Sequence, residues 1–273
     1  MFKECLENLR NQTPLIHCMT NYVTVNDVAN ALLAIGGSPI MSDDEGEVEE
    51  ITSICNGLDL NIGTFNQRTI ASMLKAGKKA SSLGHPVLLD PVGAGASTLR
   101  TKTAVSILEN VKVSVIRGNV SELKALALGS TTTQGVDASS LDAVTDDNLE
   151  KMIKIFKDYA KKTKAIIAVT GAIDVVTDGE KCFVIRNGVK EMSRITGTGC
   201  MLSGIMPAFL YANLDHPLEA CAAAVCAMGL AGEIGKSHLR DYEGNASLRT
   251  HIIDALMVMS SEELEKGAKY EIY

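Results

Sequence analysis

The sequence predicts an α/β protein built around a largely parallel sheet. Short apolar runs alternate with helical stretches up to residue 170, and this alternation is typical of βαβ units. Polar residues and glycines follow several of these runs, which is where open α/β sheets bind ligands. The chain has 273 residues, and no linker or shift of composition divides them. We therefore predict one domain over residues 1–273.

The individual elements follow from the periodicity of the apolar residues. Candidate strands occupy residues 15–19, 38–41, 58–63, 87–91, 113–117 and 165–170. Candidate helices occupy residues 23–35, 48–56, 67–83, 101–110 and 148–162. After residue 170 the pattern changes to a β-hairpin over residues 174–177 and 181–186, followed mostly by helix. The polar segment 130–145 predicts a surface loop.

The composition argues against several kinds of partner and site. A net charge of -7 and the absence of tryptophan disfavour nucleic acid and anionic membranes. Seven cysteines without a CxxC pair disfavour a disulfide framework or a structural zinc site and suggest a reducing, cytoplasmic location. The N-terminus does not read as a signal peptide. The uncharged run 195–214 contains glycines and Pro207, so we expect a buried helix there rather than a membrane span.

The most informative segment reads RITGTGC and spans residues 194–200. Its glycines precede an apolar run, 201–214, that looks helical. A glycine turn that leads into a helix leaves backbone N–H groups pointing at one spot, and the helix dipole makes that spot attractive to anions. Cys200 would lie beside the same spot. The segment favours phosphoryl transfer, although a glycine-rich helix start in the core is the alternative.

Two further motifs follow neighbouring strands. DPVGAG begins at Asp90, whose carboxylate can hold Mg²⁺ near a phosphate or can simply cap a turn; the residues alone do not choose between these roles. RGNVSE begins at Arg117, which can bind a phosphate. In that motif Asn119 and Glu122 have the spacing of a helix-capping box. Two carboxylates on one rim nevertheless suggest a cation between Asp90 and Glu122.

The motifs together resemble the hydroxyethylthiazole kinases of the ribokinase-like superfamily. The resemblance covers residues 13–235 and rests on eight segments in the family's order: HCMTN, LLAIGGSPIM, LNIGT, DPVGAG, RGN with a glutamate three residues on, GVDAS, VTGAIDVVTDG and TGTGC. It implies a three-layer α/β/α sandwich with a mostly parallel central sheet. It also implies ATP-dependent phosphorylation of 5-(2-hydroxyethyl)-4-methylthiazole in thiamine biosynthesis or salvage, by a homotrimer with sites near the subunit contacts.

The resemblance also implies roles for individual residues. ATP contacts would come from Arg117, Thr170 and Asn119, and the Mg²⁺ side from Asp90 and Glu122. The thiazole pocket would include Met41, Gly197 and Asn21. The backbone of Gly197, Thr198 and Gly199 would form the anion hole, and Cys200 stands where related sugar kinases have a catalytic aspartate. A thiol beside a triphosphate makes a weak base, so we expect Cys200 to orient the alcohol more than to deprotonate it.

The chain departs from the family at two places. Where relatives usually carry GPGSF, residues 244–248 read GNASL, and the second asparagine of the family's TNN is Tyr22. These changes concern details of the edge of the nucleotide site and of the rim of the thiazole pocket. Open alternatives are a hydroxymethylpyrimidine-type kinase, an ADP-dependent repair dehydratase of the same fold, and a non-catalytic thiazole- or thiamine-binding protein. A redox protein is disfavoured, because no second cysteine lies near Cys200 in sequence.

Overall fold

The computed structural model describes residues 1–128 and 143–273. Most of the predicted loop 130–145 and the GVDAS motif at 135–139 lie outside the described residues. The helices are α1 Phe2–Gln12, α2 Val25–Ile35, α3 Val48–Ile54, α4 Gln67–Leu83, α5 Thr98–Asn110, α6 Val120–Leu128, α7 Leu149–Thr163, α8 Thr198–Ala212, α9 Pro217–Ser237, α10 Asn245–Val258 and α11 Ser261–Gly267. The strands are β1 Leu15–Met19, β2 Ser38–Ile40, β3 Gly57–Asn61, β4 Val87–Asp90, β5 Val115–Asn119, β6 Ile166–Thr170, β7 Asp174–Thr177, β8 Cys182–Ile185 and β9 Tyr270–Ile272.

The strands form one sheet in the order β2-β1-β3-β4-β5-β6-β7-β8-β9. Neighbouring strands from β2 to β6 are parallel, and those from β6 to β9 are antiparallel. The predicted parallel sheet and the predicted hairpin are both confirmed. Because β1 to β6 run the same way, their carboxyl ends meet at one edge of the sheet, here called the carboxyl edge.

Helices cover both faces of the sheet. One apolar cluster packs α1, α2 and α8 to α11 against one face, and a second cluster packs α4 to α7 against the other. Successive residues of β4 alternate between them: Leu88 belongs to the first cluster, whereas Val87 and Leu89 belong to the second. This alternation is the two-residue period of a strand with both faces buried. The result is the predicted three-layer α/β/α sandwich.

Two boundaries differ from the sequence-based expectation in ways that affect the site. The strand predicted at 113–117 is displaced to Val115–Asn119, because Arg117 to Asn119 continue the parallel pairing with β6. The helix predicted from residue 201 begins at Thr198. Arg117 and Asn119 therefore lie in the strand itself, and Cys200 lies in the first turn of α8.

The apolar C-terminal helices lie inside the protein. Most residues of α8 are buried, which confirms the expectation for residues 195–214. Among the described residues, α9 is the one helix long and apolar enough to cross a membrane, and 83% of its most apolar window is buried in the fold. Burial of this kind is typical of a core helix.

Candidate active site

The N-terminus of α8 is open toward the carboxyl edge. Gly197 precedes the helix with a φ of +97°, and a Cβ there would come within 2.5 Å of Thr24, so only glycine fits the turn. Among the residues that the structure describes, no side chain caps this helix. The first backbone N–H groups, from Thr198 onward, are therefore available to an anion.

Arg117 lies directly against this helix start. A Cβ at Gly199 would come within 2.5 Å of both terminal nitrogens of its guanidinium, so the glycine makes room for the arginine. The Arg117 side chain donates to Thr170 Oγ1 at 2.5 Å and to Asp90 Oδ2 at 3.4 Å. It is largely buried, with 8% of the residue exposed. A positive charge is thus held beside the open amides of α8.

Asp90 is the buried centre of the cluster. Its Oδ2 accepts hydrogen bonds from Asn61 Nδ2 and Ser203 Oγ, each at 2.8 Å. Its Oδ1 has no partner among the described residues, although the side chain is fully buried. Burial raises the pKa of this carboxyl, the Arg117 guanidinium opposes the rise, and Glu122 adds to it. A buried carboxylate oxygen that lacks a partner is the kind of atom that a cation satisfies, and a bound cation would favour the charged form that burial disfavours.

Cys200 is held by two amide side chains. Its Sγ accepts hydrogen bonds from Asn21 Nδ2 at 3.1 Å and from Asn61 Nδ2 at 3.3 Å. Burial raises the pKa of the thiol, and the negative charge of Asp90 adds to the effect. The position in the first turn of a helix does not outweigh burial here. The thiol is therefore neutral at pH 7, which fits the expected orienting role better than a base.

Glu122 and Asn119 form the capping box that their spacing predicts. Glu122 Oε2 accepts from the backbone N–H of Asn119 at 2.9 Å, and Asn119 Oδ1 accepts from the N–H of Glu122 at 2.9 Å. The other oxygen, Glu122 Oε1, accepts from the N–H of Gly93 at 2.8 Å. Glu122 thus ties the DPVGAG turn to the start of α6, and its charge faces Asp90.

Two cavities open beside this cluster. The larger, of about 730 Å³, is lined by Arg117, Thr170 and the start of α8 at Thr198 and Gly199. The smaller, of about 200 Å³, is lined by Met41, Met19, Tyr22, Asn61, Phe65 and other residues that follow β1 to β3. Arg117 lines the larger cavity and Asn61 lines the smaller one. Both side chains donate a hydrogen bond to Asp90 Oδ2, so the cluster lies between the two cavities and connects them.

The predicted site residues are mostly brought together. Asp90, Arg117, Thr170 and Cys200 join one hydrogen-bonded cluster with Asn21. Of the residues predicted for the thiazole pocket, Met41 lines the smaller cavity. Gly197 instead forms the turn before α8, and it is not among the described residues that line either cavity.

The departures from the family pattern lie at different places. Tyr22 lines the smaller cavity and is 77% exposed, so it sits at the rim. The GNASL segment begins α10, where Asn245 Nδ2 donates to the backbone oxygen of Arg194 at 3.4 Å. It does not belong to the described lining of the larger cavity.

Two residues that the sequence analysis did not select belong to the cluster. Asn61 stands at the end of β3 and Ser203 lies one turn after Cys200, on the same side of α8. The sequence does indicate Asn61, because this polar residue comes directly after a short apolar run, as Asp90 does. Ser203 carried a weaker one, as a hydroxyl within an apolar helix.

Asp174 gives the protein a predicted pH dependence of stability. Its Oδ1 accepts from the N–H of Gly171 at 2.8 Å, yet burial raises its pKa from 3.8 to about 7. Between these values the folded state binds more protons than the unfolded state, so this group's stabilising contribution is complete at low pH and is lost as pH rises through about 7.

The Asp174→Asn variant keeps the acceptor for Gly171 and removes the charge. The free energy of unfolding is measured by urea titration at pH 5 and pH 8. We expect the variant to be more stable relative to the parent protein at pH 8 than at pH 5. Equal differences between variant and parent at both pH values would contradict the prediction.

Comparison with known proteins identifies the family of this chain. The model of the "Hydroxyethylthiazole kinase family" matches residues 6–262. A hydroxyethylthiazole kinase of Clostridium acetobutylicum is 58% identical over 273 residues, which is the full length of both chains. The solved hydroxyethylthiazole kinase of Pyrococcus horikoshii OT3 is 33% identical with a TM-score of 0.88, over 100% of this chain and 98% of that one.

A more distant likeness concerns the fold alone. A Staphylococcus aureus pyridoxal kinase structure shares a TM-score of 0.58 at 14% identity, over 95% of this chain and 97% of that one. It supports the ribokinase-like architecture of the sandwich, as the sequence analysis expected. The family model and the full-length relatives decide the assignment: the chain belongs to the hydroxyethylthiazole kinase family.

Proposed function

We propose that the protein transfers the γ-phosphoryl group of ATP to the hydroxyl of 5-(2-hydroxyethyl)-4-methylthiazole in thiamine biosynthesis or salvage. The observation that carries the proposal is the placement of the Asp90 cluster between two cavities, beside the open N-terminus of α8. Two substrates must meet for a group transfer, and an anion site at their junction suits the transferred phosphoryl. The full-length relatives named hydroxyethylthiazole kinase support this choice of acceptor.

ATP would occupy the larger cavity. Arg117 and Thr170 line it, and Asn119 ends the strand that carries Arg117. The amides at 197–200 would take the charge on the transferred group. Because the transition state of phosphoryl transfer is loose, these donors act by position and charge.

The residues present fit a magnesium ion. Within residues 1–128 and 143–273, no group of three or more His, Cys, Asp or Glu side chains is arranged to hold a metal. That agrees with Mg²⁺, which commonly takes one or two carboxylates and completes its shell with phosphates and water. Asp90 would hold it through Oδ1, the oxygen that has no partner in the described part of the chain. Glu122 would add charge nearby. The ion would neutralise phosphate charge as transfer proceeds.

The acceptor would occupy the smaller cavity. Met41 and Met19 offer polarisable sulfur to a heteroaromatic ring, and Tyr22 forms the rim. Asn21 is not among the described residues that line this cavity, but its amide donates to Asn61, which does line it, and to Cys200. A hydroxyethyl arm that reaches from this cavity toward Asp90 would bring its oxygen to the start of α8.

We include the remaining expectations in the same proposal. The protein would act in the cytoplasm as a homotrimer, with the rim of the smaller cavity near a subunit contact, and without nucleic acid or membrane as partners. Sedimentation velocity of the purified chain measures the assembly directly.

The Cys200→Ala variant is expected to retain measurable turnover. Its thiol is neutral and held by two amides, so it orients the alcohol without taking a full proton early in the transfer. A general base contributes about 10²–10⁴ to a rate, so we expect a kcat loss below about 100-fold. The measurement is kcat from steady-state kinetics of Cys200→Ala, Asp90→Ala and Arg117→Ala, and we expect the last two variants to lose more kcat than the first. A total loss in Cys200→Ala, equal to theirs, would make Cys200 the essential base.

The function itself is tested by release of ADP on addition of hydroxyethylthiazole. We expect turnover that requires both the thiazole alcohol and Mg²⁺, with hydroxymethylpyrimidine a poor substitute. A preference for the pyrimidine alcohol would move the protein to the alternative kinase. Binding of the thiazole without ADP release would favour the non-catalytic alternative.

A further inference from the structure

Arg100 makes an unusual set of contacts behind the site. It lies in the first turn of α5, and its guanidinium donates to three backbone carbonyls: Ile62 at 2.9 Å, Gly63 at 2.8 Å and Val92 at 2.7 Å. Its side chain forms no salt bridge with the residues that the structure describes. The charge of Arg100 is therefore directed at backbone oxygens.

These carbonyls belong to two different loops of the site. Ile62 and Gly63 follow β3, and Val92 follows β4, two residues beyond Asp90. Charge-assisted hydrogen bonds are about twice as strong as neutral ones, so a single side chain joins both loops firmly. The loop after β3 leads into the smaller cavity, and the loop after β4 carries the Asp90 turn.

Arg100 also contacts a wall of the smaller cavity and the Asp90 turn. Its guanidinium lies over the ring of Phe65, 5.4 Å from the centroid, and Phe65 lines that cavity. A Cβ at Gly93 would come within 2.9 Å of the Arg100 stem, so the turn closes tightly around it. Glu122 holds the N–H of Gly93 from the other side.

We propose that Arg100 is a positioning residue that sets the distance between the acceptor and the Asp90 turn. It binds the carbonyls on one side and supports Phe65 on the other, so its loss would let the two loops separate. A lysine cannot replace it, because the three bonds come from two separate guanidinium nitrogens and the planar group also contacts the Phe65 ring. The identity of the acceptor rests on the proposed function, whereas the coupling of the two loops does not.

The test compares Arg100→Lys and Arg100→Met with the same changes at Arg10. Arg10 is a matched control, since its guanidinium also bonds backbone carbonyls, those of Ile35 at 3.3 Å and Leu256 at 3.2 Å, away from the site. We expect both Arg100 variants to raise the KM for the thiazole alcohol and to lower kcat/KM about 100-fold, as small misplacements do, with the KM for ATP nearly unchanged. The Arg10 variants should lower the melting temperature without raising the KM for the thiazole alcohol relative to the KM for ATP.

A second measurement does not depend on turnover. Hydrogen exchange of the amides in segments 62–66 and 91–96 should accelerate in Arg100→Met and stay unchanged in Arg10→Met. Slow exchange as in the parent protein would overturn the proposal, even if the enzyme acts on another alcohol. An equal rise of the KM for the thiazole alcohol and the KM for ATP in the Arg100 variants would also overturn it. So would a rise of the thiazole KM alone in the Arg10 variants. If exchange accelerates while the parent protein leaves the thiazole untouched, the proposed function fails and the coupling of the loops stands.

Discussion

Replacing Asp90 by asparagine is expected to lower kcat about 10³-fold while the protein stays folded, a loss typical of removing one electrostatic group from a transition state. Asparagine has the same shape, and its carbonyl oxygen can still accept from Asn61 and Ser203. The variant loses the charge that would hold the metal and that pairs with Arg117 at 3.4 Å. Because the substitution leaves the buried Arg117 guanidinium without its carboxylate, we expect the melting temperature to fall while the protein stays folded.

Asp59 supplies a matched control for this substitution. It lies in β3, the strand beside β4, is fully buried, and neither of its oxygens has a partner within the described chain. Burial raises the pKa of Asp59 well above its ordinary value, and the charge of Asp90 adds to the rise, which favours the neutral form that asparagine mimics. We expect Asp59→Asn to keep kcat near that of the parent protein.

The measurement is the Mg²⁺ dependence of ADP release in both variants. Asp90→Asn should lose turnover at every Mg²⁺ concentration, or regain part of it only at high Mg²⁺, whereas Asp59→Asn should follow the parent curve. If Asp90→Asn keeps the parent's kcat and Mg²⁺ dependence, Asp90 does not belong to the metal side. If the two variants lose activity equally, the effect comes from changing any buried carboxyl of the sheet and not from losing the Asp90 charge at the site.

The inner strands of the sheet are easier to predict from the sequence than the exposed strand at its end. Strands buried on both faces are short apolar runs, and helices between them have their own period, so β1 to β6 and the hairpin are legible without a structure. The first helix was not predicted, although Phe2, Cys5, Leu6 and Leu9 have helical spacing and are buried. By contrast, β9 has three exposed residues and exists because it pairs with β8, which no local pattern reveals.

The same limit applies to the site. Asp90, Arg117 and Thr170 were predictable because each stands at the carboxyl end of a parallel strand, and those ends meet in space. Arg100 was not, because its partners are backbone carbonyls as far as 38 residues away, chosen by how α5 packs. Local sequence shows which residues reach the carboxyl edge. The residues that hold the edge together depend on tertiary packing.

The other large effect is expected from Gly199→Ala. A methyl group at this position would come within 2.5 Å of the Arg117 guanidinium, which must then leave the start of α8. The φ of Gly199 lies outside the positive region, so alanine fits the backbone, and alanine favours a helix over glycine by about 1 kcal/mol. We therefore expect kcat to fall about 10³-fold with no loss of melting temperature.

Gly204→Ala separates this effect from ordinary crowding. It lies in the same helix, and its added Cβ would also come within 2.5 Å of a neighbour, in this case Val28 in the core. We expect Gly204→Ala to lower the melting temperature and to keep kcat, the opposite of Gly199→Ala.

A double-mutant cycle then assigns the mechanism. If Gly199→Ala acts by displacing the guanidinium, adding it to Arg117→Met should cost little more than Arg117→Met alone, because residues that act as a unit are non-additive. Fully additive losses would mean instead that the methyl group obstructs the phosphoryl group itself at the α8 amides. Either result requires the transferred group to pass this helix start, so undiminished turnover in Gly199→Ala would remove the central support for placing phosphoryl transfer there.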